Sequence, residues 1–153
     1  MLQKTIKEFI RPGRLPQVGP DDSVATAIEV MRSQHAYCVA VIDAGRLVGV
    51  FTERDFLNRV TAERRPIAGT AMREVMTPDP VTLGVDDCIS YAINKMAVGG
   101  FRNVPIVDAD GVTVALLDTR DVVAHLSDLF DALDEQGSER VEDREWTDIG
   151  GGA

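Results

Sequence analysis

The sequence predicts a mixed α/β fold built from two tandem repeats, each with the order strand, helix, strand, strand, helix. The first observation is internal similarity, because a shift of about 65 residues superposes the apolar positions of the two halves. The second is that short apolar runs alternate with segments of helical periodicity, which favours a partly antiparallel sheet. Neither unit is large enough to bury its own apolar face, so we expect the two to pack with pseudo-two-fold symmetry.

Each repeat begins with a lead-in segment and a short strand. The lead-in segments are residues 6–10 and 72–76, and a proline follows each of them. Short strands are expected near Gln17–Val18 in the first repeat and Val81–Leu83 in the second. Both repeats therefore start with the same elements in the same order.

The first helix of each repeat is predicted from apolar residues that recur three or four positions apart. Residues 23–31 carry this spacing, and residues 88–96 repeat it. A pair of aspartates precedes each stretch, Asp21–Asp22 and Asp86–Asp87. Aspartate suits a helix N-terminus because it accepts hydrogen bonds from unpaired N–H groups and complements the helix dipole. We expect these aspartates to cap the two helices.

A hairpin and a second helix complete each repeat. Apolar runs at 39–43 and 47–51 flank a glycine-containing turn, and runs at 104–107 and 112–117 do the same in the second repeat. Amphipathic segments follow at 56–60 and 122–129. Strand therefore gives way to helix at one corresponding place in each repeat.

These patterns divide the chain into four parts. The first repeat covers residues 5–61, a charged linker covers 62–69, and the second repeat covers 70–130. Residues 135–153 are acidic, end in glycines and alanine, and show no periodicity, which predicts a disordered tail. Trp146 belongs to that tail and has no apolar neighbours in its own segment.

The charge balance excludes some classes of partner. The chain of 153 residues has 16 basic and 25 acidic residues, a formal net charge of −9. Such a charge repels nucleic acid and anionic membranes. No apolar run approaches the roughly 20 residues of a membrane span, and the first residues lack the pattern of a signal peptide. The sequence predicts a cytoplasmic protein.

The cysteines and histidines suggest no metal or redox site. Cys38 and Cys88 stand in apolar or helical patterns and do not form a Cys-x-x-Cys spacing. His35 and His125 are equally isolated. Since a zinc site takes about four N or S ligands, we expect buried thiols and no required cofactor.

The motif that closes the first repeat resembles a known family. Residues 49–56 place a threonine and an aspartate three positions apart at the strand-to-helix junction, and residues 101–108 lead into the central strand of the second repeat. With both repeats in register, this pattern resembles the CBS domain, named after cystathionine beta-synthase, of which two in tandem form a Bateman module. The resemblance covers about four-fifths of the chain. The chain is most similar to free-standing bacterial CBS-pair proteins.

The resemblance implies an adenine nucleotide (AMP, ADP or ATP) or a related adenosyl ligand (NADH or S-adenosylmethionine) in the cleft between the repeats. It assigns Asp55 to the sugar and Thr52 to phosphate. The chemistry agrees, since a carboxylate accepts two hydrogen bonds from a ribose diol and a hydroxyl with free N–H groups suits phosphate oxygens. The alternative is that Thr52 and Asp55 form only an N-cap and a first-turn acid.

The second repeat departs from the pattern. Asp118 stands where the family usually has serine or threonine, and Asp121 follows three residues later. Two carboxylates beside a phosphate are electrostatically unfavourable, although Asp118 could serve as an N-cap. Arg102–Asn103 matches the family's basic and polar phosphate contact, whereas the first repeat has Tyr37–Cys38 there. We therefore predict one occupied site around Thr52 and a second that is weaker or empty.

The complete set of predicted ligand contacts draws on both repeats. Arg54 and Arg120 are included, with solvated helix-surface charges as the alternative. The set is Val18, Tyr37, Cys38, Thr52, Arg54, Asp55, Arg102, Asn103, Pro105, Asp118, Arg120 and Asp121.

The function expected from these features is that of a non-catalytic sensor or regulatory subunit. Ligand bound between the repeats would favour one relative orientation of the two, which a regulated partner would detect. The family resemblance also implies a homodimer, a flat disk of four repeats. A ligand-free dimerisation or interaction module is the alternative. An enzyme acting on a nucleotide would need Mg²⁺ held at Asp118 and Asp121, and no catalytic triad is recognisable.

Overall fold

The computed structural model describes residues 4–11 and 13–134. The predicted tail, with Trp146, lies outside these ranges. Within them the chain forms two sheets and five α-helices, which confirms the mixed α/β class predicted from the repeats.

The elements follow the predicted order in both repeats. The strands are β1 (Gln17–Val18), β2 (Cys38–Asp43), β3 (Arg46–Thr52), β4 (Thr77–Pro78), β5 (Leu83–Gly84), β6 (Asn103–Val107) and β7 (Thr113–Asp118). The helices are α1 (Val24–Ser33), α2 (Glu53–Asp55), α3 (Met72–Val75), α4 (Ile89–Gly99) and α5 (Thr119–Asp134). A short 3₁₀ helix, Ile6–Glu8, precedes β1, and a π-helical segment, Phe56–Thr61, continues α2.

The two sheets are built alike around a hairpin. The first has the order β1-β2-β3-β4 and the second the order β5-β6-β7. In each sheet a short strand lies parallel to the first hairpin strand, and the hairpin itself is antiparallel. The additional strand, β4, directly follows the lead-in of the second repeat and pairs with β3 at the sheet edge. Pro78 is tolerated there because an edge strand can dispense with one N–H donor.

Residues with left-handed backbone geometry form the turns at which the chain reverses direction in each hairpin. In the first repeat Ala44 and Gly45 have φ values of 46° and 80°, the left-handed geometry of a tight two-residue turn. The second turn is one residue longer and uses Gly111 at φ 78°. The Asp108 carboxylate accepts there from the amide of Asp110 at 3.0 Å.

The expectation that the paired aspartates cap the helices is wrong. The N-cap of α1 is Ser23, whose hydroxyl accepts from the Thr26 amide at 3.2 Å. Asp22 lies one residue earlier, and its carboxylate accepts instead from the Gly19 amide at 2.6 Å. In the second repeat the Asp87 carboxylate accepts in the same way from the Gly84 amide, at 2.7 Å. The aspartates therefore close the turn that precedes each helix.

Two hydrophobic clusters form the interior, one on each sheet. Core 1 consists of Val18, Val24, Ala27, Met31, Val39, Val41, Phe51, Val60, Met72 and Val75. Core 2 consists of Ile6, Phe9, Leu83, Ile89, Ala92, Met96, Val104, Ile106, Ala115, Leu117 and Val122. The lead-in segments are exchanged between the two, because each packs in the core of the other repeat.

Backbone hydrogen bonds hold the exchanged segments in equivalent positions. The Ile6 amide donates to the Asp87 carbonyl at 2.9 Å, and the Met72 amide donates to the Asp22 carbonyl at 2.9 Å. Both bonds join a lead-in to the turn before the first helix of the other repeat. The repeats are thus related by pseudo-two-fold symmetry. Each packed unit consists of the sheet and helices of one repeat together with the lead-in of the other.

Candidate functional site

A large cleft opens between the two repeats at the ends of their hairpins. Its volume is about 950 Å³, within the usual range for small-molecule sites. The cleft is lined by Tyr37, Cys38, Val50, Thr52, Glu53, Arg54, Asp55, Leu57, Asn58, Thr77, Pro78, Asp79, Pro80, Val81, Phe101, Arg102, Asn103, Pro105, Asp118, Thr119 and Arg120. Ten of the twelve predicted contacts lie in this lining.

The remaining two predicted contacts lie elsewhere. Val18 packs in core 1 with 6% of its surface exposed. Asp121 lines a smaller cleft on the other side of the hairpin ends. The structure therefore brings together the predicted residues that follow β3 and those that begin β6.

Thr52 and Asp55 form a reciprocal capping box at the start of α2. The Asp55 amide donates to the Thr52 hydroxyl oxygen at 3.2 Å. In return the Asp55 carboxylate accepts from the Thr52 amide and from its hydroxyl, both at 3.0 Å. The capping role that the sequence left as an alternative is thus present, in residues that also line the cleft.

The second oxygen of the Asp55 carboxylate is engaged as well. It accepts from the Thr77 hydroxyl at 3.2 Å and lies 3.6 Å from the Arg59 guanidinium. Arg59 also donates to the Val75 carbonyl at 3.1 Å. A carboxylate offers about four acceptor positions, and three of those of Asp55 accept from Thr52 and Thr77.

Arginines from both repeats stand in the lining of the large cleft, together with the carboxylates of Glu53, Asp55, Asp79 and Asp118. Arg54, at the start of α2, donates to the Gly100 carbonyl at 3.3 Å and so connects the two repeats. Arg102 stands exposed just before β6, next to Asn103. Guanidinium groups bind phosphate with paired N–H donors. The cleft therefore combines a buried carboxylate with exposed cations.

Asp118 is neutralised within its own repeat. Two nitrogens of Arg120 donate to its two carboxylate oxygens at 3.1 Å each, and the Arg120 amide donates to it at 2.7 Å. This pairing raises the pKa of Arg120 above its ordinary value. Asp121 accepts from the Asp118 amide at 3.1 Å. Asp118 is therefore both a helix cap and one half of an ion pair.

The Arg120 guanidinium also stacks on Tyr37 from the first repeat, 3.9 Å from the ring centre. Both residues line the smaller cleft, whose volume is about 50 Å³. The smaller cleft is lined by Arg11, Arg14, Pro16, Ala36, Tyr37, Cys38, Asn103, Ala115, Leu116, Asp118, Arg120 and Asp121. Tyr37, Cys38, Asn103, Asp118 and Arg120 line both clefts.

Several lining residues were missed in the sequence. Thr77 and Asp79 come from the segment between the lead-in and β5, and Thr77 lies in β4, beside the strand that ends at Thr52. Arg59 reaches Asp55 from one helical turn further on. The spacing of four residues between an aspartate and an arginine was a readable signal for that ion pair.

Cys38 is buried where the two clefts meet, with 2% of its surface exposed. Burial, together with the charges of Asp55 and Asp118, raises the pKa of its thiol to about 12. Such a thiol is neutral at physiological pH and reacts slowly. In contrast, a hydrogen bond with the Ser90 hydroxyl lowers the pKa of Cys88.

We expect iodoacetamide at pH 8 to label the two cysteines in two separate phases. A thiol with a pKa of about 12 is ionised to about one part in 10⁴ at that pH, so Cys38 should be much the slower. Mass spectrometry of the time course gives both rates. The Cys88→Ser variant should lose the fast phase alone, and equal rates at the two cysteines would contradict the burial of Cys38.

The described residues do not bring together three or more histidine, cysteine, aspartate or glutamate side chains in a way that could hold a metal ion. Asp118, part of the Mg²⁺ site considered from the sequence, pairs with Arg120. In the same ranges, none of the helices has the length and apolar character needed to cross a membrane.

Two α/β repeats with exchanged lead-ins and a cleft at their hairpin ends define a paired-repeat protein with a site shared between repeats. Sequence comparison identifies the family, since the CBS domain matches residues 6–62 and again 72–128. The chain belongs to the CBS domain family and forms a CBS pair. The resemblance found in the sequence is thereby confirmed.

Among curated proteins, the chain is similar to the CBS domain-containing protein CBSCBSPB1 of Arabidopsis thaliana, with 37% identity over 102 residues. The match covers 67% of this chain and 19% of the relative. The chain thus spans about a fifth of the length of the curated relatives it matches first. That the protein is free-standing and bacterial stays a prediction.

Solved structures with ligands share the fold. A CBS domain protein from Pyrobaculum aerophilum complexed with AMP is 23% identical, with a TM-score of 0.73 over 85% of this chain and 98% of that chain. The CBS domain pair of protein MJ0100, in complex with 5′-methylthioadenosine and S-adenosyl-L-methionine, is 19% identical, with a TM-score of 0.72 over 80% and 99%. At these identities the likeness is one of fold.

Proposed function

We propose that this chain is a non-catalytic regulatory protein that binds an adenine nucleotide or a related adenosyl ligand in the large cleft and transmits the binding to a partner. The observation that carries the proposal is the cleft of about 950 Å³ lined by both repeats. Two proteins of the same fold are known in complex with AMP and with adenosyl compounds. The cytoplasmic location stays a prediction.

The lining supplies a plausible chemistry for each part of such a ligand. Asp55 accepts the ribose hydroxyls, and the Thr52 hydroxyl binds phosphate. Arg54, Arg102 and Asn103 add donors to the phosphate from the two sides of the cleft. Apolar contacts from the exposed Val81, among others, are available for the base.

Ligand binding at this place depends on the orientation of the repeats. Thr52 and Asp55 belong to the first repeat, whereas Arg102 and Asn103 belong to the second. A ligand that touches both groups favours the orientation in which both are within reach, by no more than its difference in affinity for the two states. The Arg54 contact with the Gly100 carbonyl, 3.3 Å, spans the same gap and would respond to such a shift.

We also propose that the protein forms a homodimer through its helices. Val98 at the end of α4 is 82% exposed, and Val123 and Phe130 on α5 are 59% and 60% exposed. Exposed apolar residues grouped on helices are typical of a surface that a second protein covers. A second copy of this chain fits, because the same helices would face each other across a two-fold axis.

One observation favours the alternative of a ligand-free interaction module. The Asp55 carboxylate already accepts three hydrogen bonds within the chain, from Thr52 and Thr77, and pairs with Arg59 at 3.6 Å. Such a residue needs no ligand to explain its burial. The two functions therefore make opposite predictions for nucleotide addition.

We expect thermal unfolding to distinguish the ligand-binding sensor from the ligand-free interaction module. The purified protein is heated with AMP, ADP, ATP, NADH or S-adenosylmethionine, and with inorganic phosphate as a reference. A ligand at 100 times its dissociation constant adds about 2.7 kcal/mol, which raises the Tm of a chain of this size on the order of 5 to 10 °C. Light scattering on the same sample gives the oligomeric state.

Asp55→Asn and Asp121→Asn form a matched pair of variants, because each removes one capping carboxylate at the equivalent position. Each variant is compared with its own ligand-free Tm. The sensor function predicts that Asp55→Asn loses the ligand-induced rise and that Asp121→Asn keeps it. A folded dimer that responds to no compound supports the interaction module instead.

A further inference from the structure

The two clefts occupy equivalent positions in the pseudo-symmetric fold but differ greatly in size. The large cleft lies at the start of α2, beside the segment that follows the second lead-in. The small cleft lies at the start of α5, beside the segment that follows the first lead-in, with Arg11 and Arg14 in its lining. Their volumes are about 950 and 50 Å³. Residues that differ between the two repeats must therefore account for the small volume of one cleft.

The equivalent arginines of the two repeats behave differently. Arg54 is the second residue of α2, and Arg120 is the second residue of α5. Arg54 extends to the Gly100 carbonyl at 3.3 Å and leaves the cleft beside it open. Arg120 folds back onto Asp118 through two hydrogen bonds of 3.1 Å.

Two pairs of residues that differ between the repeats explain this contrast. Two residues before the arginine stands Thr52 in the first repeat and Asp118 in the second, so only Arg120 has a carboxylate at that position to pair with. The residue just before the first hairpin strand is Tyr37 in the first repeat and Arg102 in the second. Arg120 stacks on the Tyr37 ring at 3.9 Å, whereas Arg54 and Arg102, which carry like charges, both line the large cleft.

The Arg120 contact joins the two repeats within the lining of the small cleft. Its guanidinium lies between the Asp118 carboxylate of the second repeat and the Tyr37 ring of the first, with 53% of the Arg120 side chain and 14% of the Asp118 side chain exposed. Paired hydrogen bonds and ring stacking together fix a planar cation in one position. With Arg11 and Arg14 nearby, the small cleft has the cations to receive a phosphate once Arg120 leaves it.

We propose that Arg120 is a built-in occupant of the small cleft, held by Asp118 and Tyr37, and that it limits the chain to one bound phosphate-bearing nucleoside. This inference rests on the proposed function, since it assigns the ligand to the large cleft alone. Arg120 excludes a second ligand from the small cleft, and Asp118 and Tyr37 hold Arg120 in that position.

Isothermal titration with AMP, and with ATP in a parallel series, tests the number of sites. We expect one nucleotide per chain for the unmodified protein and two for the Asp118→Thr/Arg120→Ala double variant, which restores the threonine–aspartate spacing of the first repeat. Lys95→Ala is the matched control, because Lys95 forms a similar stack on Tyr91, at 5.2 Å, outside both clefts. The Lys95→Ala variant should bind one nucleotide per chain, like the unmodified protein.

Two binding results would overturn the inference. The unmodified protein could bind two nucleotides per chain, or the double variant, shown by circular dichroism to be folded, could still bind one. If no variant binds AMP or ATP, the proposed function is wrong for these nucleotides, and a readout without nucleotide decides the role of Arg120.

That readout is the accessibility of Cys38, which lines both clefts. In a Cys88→Ser background, Arg120→Ala should raise the rate of iodoacetamide labelling at Cys38 several-fold, whereas Lys95→Ala should leave it unchanged. An unchanged rate in Arg120→Ala would show that Arg120 does not close the small cleft.

Discussion

Replacing Ile6 with alanine is expected to lower the free energy of unfolding by about 2–5 kcal/mol. Ile6 stands near the start of the chain, where truncation is usually harmless. Yet its side chain is fully buried in core 2, among residues of the second repeat. The loss combines the transfer of buried methyl and methylene groups with the cavity they leave.

Urea unfolding of matched variants measures this effect. Met72→Ala removes the equivalent lead-in residue from core 1 and should cost a similar amount. Lys7→Ala truncates an exposed side chain of the same lead-in and should change stability by no more than about 0.5 kcal/mol. The exchanged packing is refuted if Ile6→Ala behaves like Lys7→Ala.

Gly49→Ala is expected to destabilise the protein by about 1–3 kcal/mol, although it adds only a methyl group. A Cβ at this position would lie 2.5 Å from the Met76 sulfur and 2.9 Å from the Thr77 carbonyl oxygen. The sulfur can move, but the carbonyl belongs to β4, whose Pro78 lies opposite Gly49 in the sheet. The substitution therefore pushes the lead-in of the second repeat away from β3.

Gly69→Ala is the control for this prediction. A Cβ there would meet the Pro66 ring at 3.6 Å, an ordinary contact. Reduced freedom of the unfolded chain should make that variant neutral or slightly more stable, by up to about 1 kcal/mol. Equal Tm values for the Gly49 and Gly69 variants would mean that β4 is not held against β3 as described.

Much of the fold could be predicted because both repeats carry the same apolar spacing. The period of residues 23–31 and 88–96 identified α1 and α4, and the glycine turns identified both hairpins. The exchange of lead-ins could not be predicted in the same way. An apolar pattern shows that Ile6 is buried, but both cores offer an apolar surface, and only the folded chain decides between them.

The candidate site was predicted in part for a similar reason. Thr52 and Asp55 are close in sequence, so their junction of strand and helix was readable. Thr77 and Tyr37 approach the site from other segments, and their contacts with Asp55 and Arg120 depend on how the repeats pack. The ion pair of Asp118 with Arg120 also removed the repulsion expected between that carboxylate and a phosphate.

The exchanged lead-ins also bear on how such a chain could arise. A single repeat leaves a gap in its own core and carries the segment that fills the gap of another, so two separate copies would complete each other as a domain-swapped dimer. Joining the copies through residues 62–69 makes that exchange intramolecular, at a high effective concentration. A cut in this linker should then leave two fragments that reassociate by fragment complementation, each supplying the missing segment of the other.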